Sequence, residues 1–342
     1  MAKALNPPAW IERLVRFLRR ENLHRILLSL LALIVLGALA LSFLEPGTTL
    51  ADWLWWGVVT VTTVGYGDIA PSSVGGRLIG VVLMFCGIGV VSLFTATIAG
   101  YFVEIKLKRE RGMEALELKN HIILCGWNQR AEAIYRELRS DARSADEPIV
   151  LLAPIDAKPV DDGGLHFIRG DVTEENLARA NIETASTVVI LGDDDLEPGA
   201  RDAKVVLSTL TVEALNPDTH TVVELVKEEN ARHCRRARAD EIIVGNQFSS
   251  RLIASAAIDH GISSVMSELL SATYGNDLRS VPVPPDLAGR SFLEVFTEMK
   301  RSNSSIVLAV QKDRTVDTNP DQEVRVEAAD HLIIIAPSAQ GA

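Results

Sequence analysis

The chain has 342 residues, 47% apolar and 23% charged, with a formal net charge of −11. Residues 1–112 hold 11 Lys/Arg against 7 Asp/Glu, a net of +4, which leaves 23 against 38, a net of −15, for the remainder. That split speaks against one uniform globular domain and against a nucleic-acid partner for the acidic part; it suits a basic, apolar membrane part joined to an acidic cytosolic part.

The first predicted element is amphipathic. In residues 8–22, Ile11, Leu14, Val15 and Leu18 recur at helical spacing with arginines opposite, which predicts an interfacial helix with Trp10 near the lipid headgroups. Ile26–Leu44 is then a charge-free run of 19 residues, and Leu78–Val103 a second run of 26. About 20 apolar residues span a bilayer core, so both are predicted membrane helices. At about 1.5 Å per residue the second is about 39 Å long and must tilt or project from the hydrocarbon. Basic residues cluster before the first run (Lys3, Arg13, Arg16, Arg19, Arg20, Arg25) and after the second (Lys106, Lys108, Arg109, Arg111), with only Arg77 between, so both termini are expected in the cytoplasm. Cys86, Cys125 and Cys234 show no CxxC or disulfide spacing and read as small apolar residues.

Between the two runs, residues 51–62 (ADWLWWGVVTVT) form an apolar segment too short to span, which predicts a re-entrant helix. Irregular backbone at membrane depth is tolerated only where it is buried in protein or lines water. The next residues, Thr63, Val64, Gly65, Tyr66, Gly67 and Asp68, must therefore line something wet. Gly65 and Gly67 permit positive φ, so the backbone can alternate in handedness along the stretch. The stretch TVGYGD resembles the selectivity-filter signature of potassium channels residue for residue. The resemblance implies K+ held by carbonyl rings, a Thr63 hydroxyl ring, Asp68 at the outer mouth, and four chains around one pore in a homotetramer. Tyr66 with the Trp55–Trp56 pair is expected to form a cuff around the filter. The second run is expected to line the pore, with Gly87 and Gly89 as hinge or close-packing positions and Ser92 and Ala96 on the cavity wall. No arginine-rich span precedes the pore, so gating is assigned to the rest of the chain.

After the basic stretch EIKLKRERGMEALELKN, strand-like apolar runs occur at HIILCGW, 148–154, 165–171, 186–193, 220–226 and 240–246, separated by helix-like segments. The alternation predicts a doubly wound parallel sheet. CGW, the RGD after the third strand and the tail VPVPPDLAGRSFLEVF resemble the RCK (regulator of K+ conductance) family. The expected fold class is thus an α-helical membrane pore domain, two transmembrane helices plus a re-entrant pore helix. It is followed by an α/β Rossmann-like RCK domain with a small α+β C-terminal lobe. The expected boundaries are 1–23 interfacial helix, 24–106 pore, 107–117 linker, 118–246 Rossmann-like lobe, 247–275 helical crossover and 276–340 C-terminal lobe. The resemblance also implies a plasma-membrane channel with a ligand-operated gating ring, and leaves Met113 as either an internal start for pore-free copies or an ordinary linker methionine.

The expected gating ligand is a divalent cation such as Ca2+, with an adenine nucleotide or NAD(H) as the alternative and a plain solvated acidic surface as the reading without a ligand. A dinucleotide fingerprint is broken: Gly126 is present, Trp127 and Asn128 follow, and Asn128 replaces the glycine that lets backbone approach a pyrophosphate. NAD or an adenine nucleotide can still use Gly126, Trp127, Asn128 and Asp171 near a helix N-terminus. Ca2+ needs clustered oxygens, offered by Asp193, Asp194, Asp195, Glu197, Glu224 and Glu228 at the carboxyl ends of two predicted strands. In calcium-gated relatives the resemblance places carboxylates where Leu191 or Gly192, and Val226, stand here, so only Glu224 matches that site. An oxidoreductase and a K+ transporter subunit are the other readings; no acid–base pair supports the first, and the single full filter signature argues against the second.

Overall fold

The computed structural model describes residues 23–271, 274–312 and 315–338, so the expected interfacial helix with Trp10 lies outside the described residues. The chain divides into two units, Met1–Leu107 and Lys108–Ala342.

In the first unit, α1 (Leu23–Leu44), α2 (Leu50–Val61) and α3 (Val74–Glu110) follow one another. α1 and α3 are each long and apolar enough to cross a membrane, and α2 is not. Thr49 and Asp52 cap α2 reciprocally, each side chain accepting the other's backbone N–H at 3.3 Å. The buried positions of α3, Gly76, Gly80, Leu83 and Gly87, recur at helical spacing and make one face. A Cβ at residue 80 would lie 3.4 Å from the Trp56 ring, and one at residue 87 only 2.6 Å from Val61. Glycines thus let α2 and α3 approach closely. Leu36 and Phe43 on α1 and Leu78, Phe85 and Phe102 on α3 stay exposed, an apolar surface suited to lipid. The second span is longer than its apolar run, because the helix continues through residues 107–110 of the stretch expected as linker. Nothing breaks it before Gly112, and Lys108 and Arg109 complement the negative helix end.

The second unit holds two sheets. β1 (Ile122–Cys125), β2 (Ile149–Ala153), β3 (Leu165–Arg169), β4 (Thr187–Ile190), β5 (His220–Leu225) and β6 (Glu241–Val244) pair in parallel in the order β3-β2-β1-β4-β5-β6. Helices cover both faces, as parallel strands with continuous apolar runs require. α4 (Gln129–Ser140) packs Ala131 and Tyr135 over Ile122, Leu124 and Leu151. α5 (Glu174–Arg179), α6 (Pro198–Leu215) and α7 (Ala231–Arg236) cover Ile123, Val150 and Val188 on the other side. Then α8 (Gly245–Ile258) and α9 (Ile262–Leu269) lead to the smaller sheet, β7 (Asn276–Pro282), β8 (Ile306–Lys312), β9 (Thr315–Thr318) and β10 (His331–Pro337), in the antiparallel order β7-β10-β8-β9. α10 (Phe292–Asn303) covers that sheet with Phe292, Val295 and Met299.

Asp202 on α6 is almost fully buried. Its carboxylate accepts bonds from Val226 N–H (2.9 Å), Lys227 N–H (3.0 Å) and Asn230 Nδ2 (2.8 Å), fixing the turn after β5. Asp202→Ala strands three donors in a part-buried site, so it is expected to cost about 2–3 kcal/mol. Thermal unfolding of the full chain in detergent should show a lowered Tm; an unchanged Tm would mean that water replaces all three bonds.

Candidate functional site

Two places carry the chemistry. In the first unit, Thr63 (φ 62°), Gly65 (φ 58°) and Gly67 (φ 74°) have positive φ while Val64 and Tyr66 do not. The backbone therefore alternates in handedness along the segment, and a threonine holds the first left-handed position. Val64 and Gly65 N–H donate to Val59 O at 3.1 and 3.3 Å, tying the segment's start to α2. Among the described residues no backbone N–H donates to the carbonyls of Thr63–Gly67. All of Thr62–Asp68 is exposed within one chain. Tyr66 stacks on Trp55 with ring centroids 6.0 Å apart, and Trp55 Nε1 donates to Asp68 Oδ2 at 3.0 Å. The expected Trp55–Trp56 cuff does not form as a pair. Trp56 is buried edge-on against Trp53, because successive helical residues point about 100° apart and only Trp55 faces the segment. Beyond the segment, Glu45 accepts from Ser72 N–H (3.0 Å), Ser72 Oγ (2.7 Å) and Ser73 N–H (2.7 Å), fastening the start of α3 to the end of α1.

In the second unit, a cavity of about 260 Å3 opens at the carboxyl ends of β1, β2, β3 and β4, where the strand order reverses. Gly126, Trp127, Asn128, Asp171 and Asp193–Asp195 line it together with Lys204. Gly126 has φ 96°, as the turn out of β1 demands. Asn128 Oδ1 accepts the N–H groups of Arg130 (3.0 Å) and Ala131 (2.9 Å), so the N-terminus of α4 is capped by its own chain.

The acidic residues are largely paired. Asp194 bonds Arg130 at 2.6 Å and Arg201 at 2.7 Å; Glu224 meets the same two guanidiniums at 3.1 and 3.7 Å, which closes a four-membered charge ring. Burial holds the Glu224 carboxyl above the usual carboxylate range despite the adjacent Arg130. Lys204 bridges Asp171 (2.8 Å) and Asp193 (3.1 Å). Burial pushes the Cys125 thiol up to about 12, so the cavity offers no ready thiolate nucleophile from this residue.

Comparison with known proteins places both units. Residues 28–104 match the ion channel family model and residues 122–245 the TrkA-N domain model. The chain is 31% identical over 287 residues to the calcium-gated potassium channel TvoK of Thermoplasma volcanium, covering 83% of this chain and 81% of that one. It is 28% identical over 324 residues to the putative potassium channel protein YugO of Bacillus subtilis, covering 94% and 98%. The chain belongs to the prokaryotic potassium channels that carry an RCK (TrkA-N) domain. Its fold is shared by the solved GsuK channel (TM-score 0.50, 17% identity, 95% of this chain and 58% of that one) and by the human SLO3 gating ring (TM-score 0.51, 18% identity, 64% and 44%). The chain thus spans about half the length of those two solved proteins.

The channel brings the nucleotide candidates Gly126, Trp127, Asn128 and Asp171 to one cavity, and Asp193–Asp195 to its rim. It does not gather the six metal candidates. Glu197 is exposed ahead of α6 without a side-chain cap bond, and Glu228 bonds Gln247 (2.5 Å) at a separate cavity. Among the described residues no group of three or more His, Cys, Asp or Glu is disposed to hold a metal ion. The reason is the guanidiniums of Arg130 and Arg201, which take the lone pairs a cation would need. Gly87 packs against Val61 whereas Gly89 is open, so the two glycines are not equivalent. Arg130, Arg201, Lys204 and Glu45 were not singled out in the sequence. Gly192 was the available signal for Arg201, since a Cβ there would lie 2.1 Å from Arg201 Nε.

Glu45→Gln keeps one oxygen for the N–H groups of Ser72 and Ser73 but removes the charge from both bonds and replaces the acceptor of the Ser72 hydroxyl by an NH2. The expected result is a twofold to tenfold fall in the K+/Na+ permeability ratio of the assembled channel, on the order of one lost charge-assisted bond. An unchanged ratio in reconstituted liposomes would show that these bonds do not support the segment.

Proposed function

We propose that the channel is K+-selective through Thr63–Gly67 and is gated by an adenine-nucleotide-class ligand in the cavity at the switch point of the large sheet. The alternation of φ turns successive carbonyls to one side, where they replace the hydration of K+. One chain leaves these groups bare, so four copies around a common axis are required to enclose an ion, with Asp68 at the outer mouth and both termini in the cytoplasm. Gly87 and Gly89 serve the inner helix as close-packing and bending positions, and Ser92 and Ala96 line the pore below the filter.

The observation that carries the ligand reading is the convergence of Arg130, Arg201 and Lys204 beside a cavity walled by Trp127, Pro154, Ile155 and Val172. Asp194 sits on an exposed loop. A phosphate presents the same bidentate acceptor to a guanidinium and can take its place, leaving Glu224 as counterion. Asp171 and Asp193 then face ribose hydroxyls. Because Asn128 already caps α4, the phosphates are held by side chains rather than by that helix end. Ligand acts by binding the open and closed rings with different affinity. A second reading, gating by Ca2+, is favoured by the name of the Thermoplasma relative; here the cation has to displace Arg130 and Arg201 from Asp194 and Glu224.

The test is flux through purified channel in liposomes, with K+ or Na+ and with ADP, NAD or Ca2+. K+ flux far above Na+ flux is expected, changed by nucleotide and reduced in sensitivity about tenfold or more by Arg130→Gln. Equal K+ and Na+ flux would overturn the filter assignment. A response to Ca2+ alone, lost when Asp193–Asp195 are all changed to Asn, would establish the second reading.

A further inference from the structure

The last turn of α3, Lys108–Glu110, and the Gly112 that follows it belong to the second unit and are bonded to its large sheet. Gly112 closes the helix in the left-handed conformation (φ 63°), its N–H donating to Arg109 O (3.1 Å) and Met113 N–H to Lys108 O (2.9 Å). The Gly112 carbonyl is left facing the large sheet, where it accepts Arg169 N–H (3.1 Å) and Arg179 Nη2 (2.5 Å). A Cβ at residue 112 would lie 2.4 Å from Arg169 N, so only glycine fits. Lys158 N–H donates to Glu110 O (2.9 Å), and Leu116 N–H to Arg179 O (2.8 Å).

These anchors adjoin the cavity. Arg169 immediately precedes Gly170 and Asp171, which line it. Asn176 Nδ2 donates to the Asp171 carbonyl (3.0 Å), and Asn176 Oδ1 accepts from Arg179 Nη1 (2.9 Å). The two Nη atoms of Arg179 belong to one rigid plane, so moving Asn176 turns the bond to Gly112. There is no slack at the start of this chain: a Cβ at residue 170 would lie 2.3 Å from Asn176 Nδ2. The Asp171 carboxylate is clasped by Lys204, which also holds Asp193 across the cavity. A ligand that enters contests Lys204 and shifts Asp171.

We infer that the hydrogen-bond chain Asp171–Asn176–Arg179–Gly112 transmits occupancy of the cavity to the end of the inner helix within one copy of the protein. Arg179 and Asn176 are positioning residues for gating, touching neither ligand nor ion. The inference rests on the cavity being the ligand site, and the experiment separates the two.

The variants are Arg179→Lys, whose single ammonium cannot span Asn176 and Gly112 together, and Asn176→Asp, which still accepts from Arg179 but cannot donate to Asp171. Aspartate suits the first turn of α5, so folding is retained. Full-length channel is assayed for radiolabelled ADP binding and for ADP-dependent rubidium flux in liposomes. Both variants are expected to bind ADP within about twofold of wild type while the ADP-dependent change in flux falls about tenfold. The double variant should be no worse than either single one, because the residues act in series. A wild-type flux response in both single variants, or additive losses in the double, would overturn the chain. If wild-type channel does not bind ADP, the ligand reading fails, and hydrogen exchange decides the chain by itself. Asn176→Asp is then expected to speed exchange at the distant Arg169 and Leu116 amides, and unchanged exchange there would overturn it.

Discussion

The carbonyls of Thr63–Gly67 are the groups on which the rest of the membrane unit depends. A backbone acceptor left without a donor away from water costs several kcal/mol, and here several stand in a row. The alternating handedness that strips them of internal partners is tolerable only if something outside the chain satisfies them. In the proposed function a dehydrated K+ does so, and the surrounding contacts keep the arrangement open. Val59 O ties the inner end of the segment to α2, while Trp55 holds the outer end through Tyr66 and Asp68. Glu45 then fixes the outgoing strand to the end of α1. Gly80 and Gly87 let α3 come close enough to α2 for that frame to be rigid.

In the second unit the corresponding constraint is charge. Four carboxylates and three basic groups meet at and beside one cavity, and the two most buried, Arg201 and Glu224, would be costly there without partners. The ring of Arg130, Asp194, Arg201 and Glu224 meets this by sharing each guanidinium between two carboxylates. Such a ring is stable when intact and sensitive to any competitor for one member. Asp194 is the member on an exposed loop, and is therefore the one a phosphate can replace with least disturbance to the core.

The two apolar spans, the re-entrant segment and all six parallel strands were legible because each is an apolar run whose length and punctuation admit one reading. Asp193–Asp195 were legible as a cluster but not as a charge ring. Arg130 lies 64 residues before Asp194, and Arg201 lies 23 residues before Glu224, so nothing local reports that they meet. Counting acidic residues without their guanidinium partners therefore makes the rim look more like a cation site than it is. Trp55 and Trp56 were indistinguishable by type; only the helical phase of α2 tells which one reaches Tyr66. Gly112 was legible in principle, since a glycine just after a run of Lys and Arg is a helix C-terminal signal. Its carbonyl's partners were not, because Arg169 and Arg179 reach it only through the fold of β3 and α5.

Magnitudes decide how much structure gating has to move. Coupling between distant sites is typically about 1–3 kcal/mol. A hydrogen bond to a charged group contributes about 1.5–3 kcal/mol. One such bond, between Arg179 and Gly112, is therefore on the scale of the whole switch. Repacking either apolar layer of the large sheet would cost more, because close-packed cores resist even a one-methylene change. The cavity wall and the α3 anchor lie at the same end of β3, where Arg169, which bonds Gly112, directly precedes Gly170, which lines the cavity. A ligand-driven shift can pass along that edge while the sheet beneath stays as it is. The helix runs unbroken through Lys108–Glu110 up to Gly112, so a shift of the Gly112 carbonyl reaches its last turn with no break to absorb it.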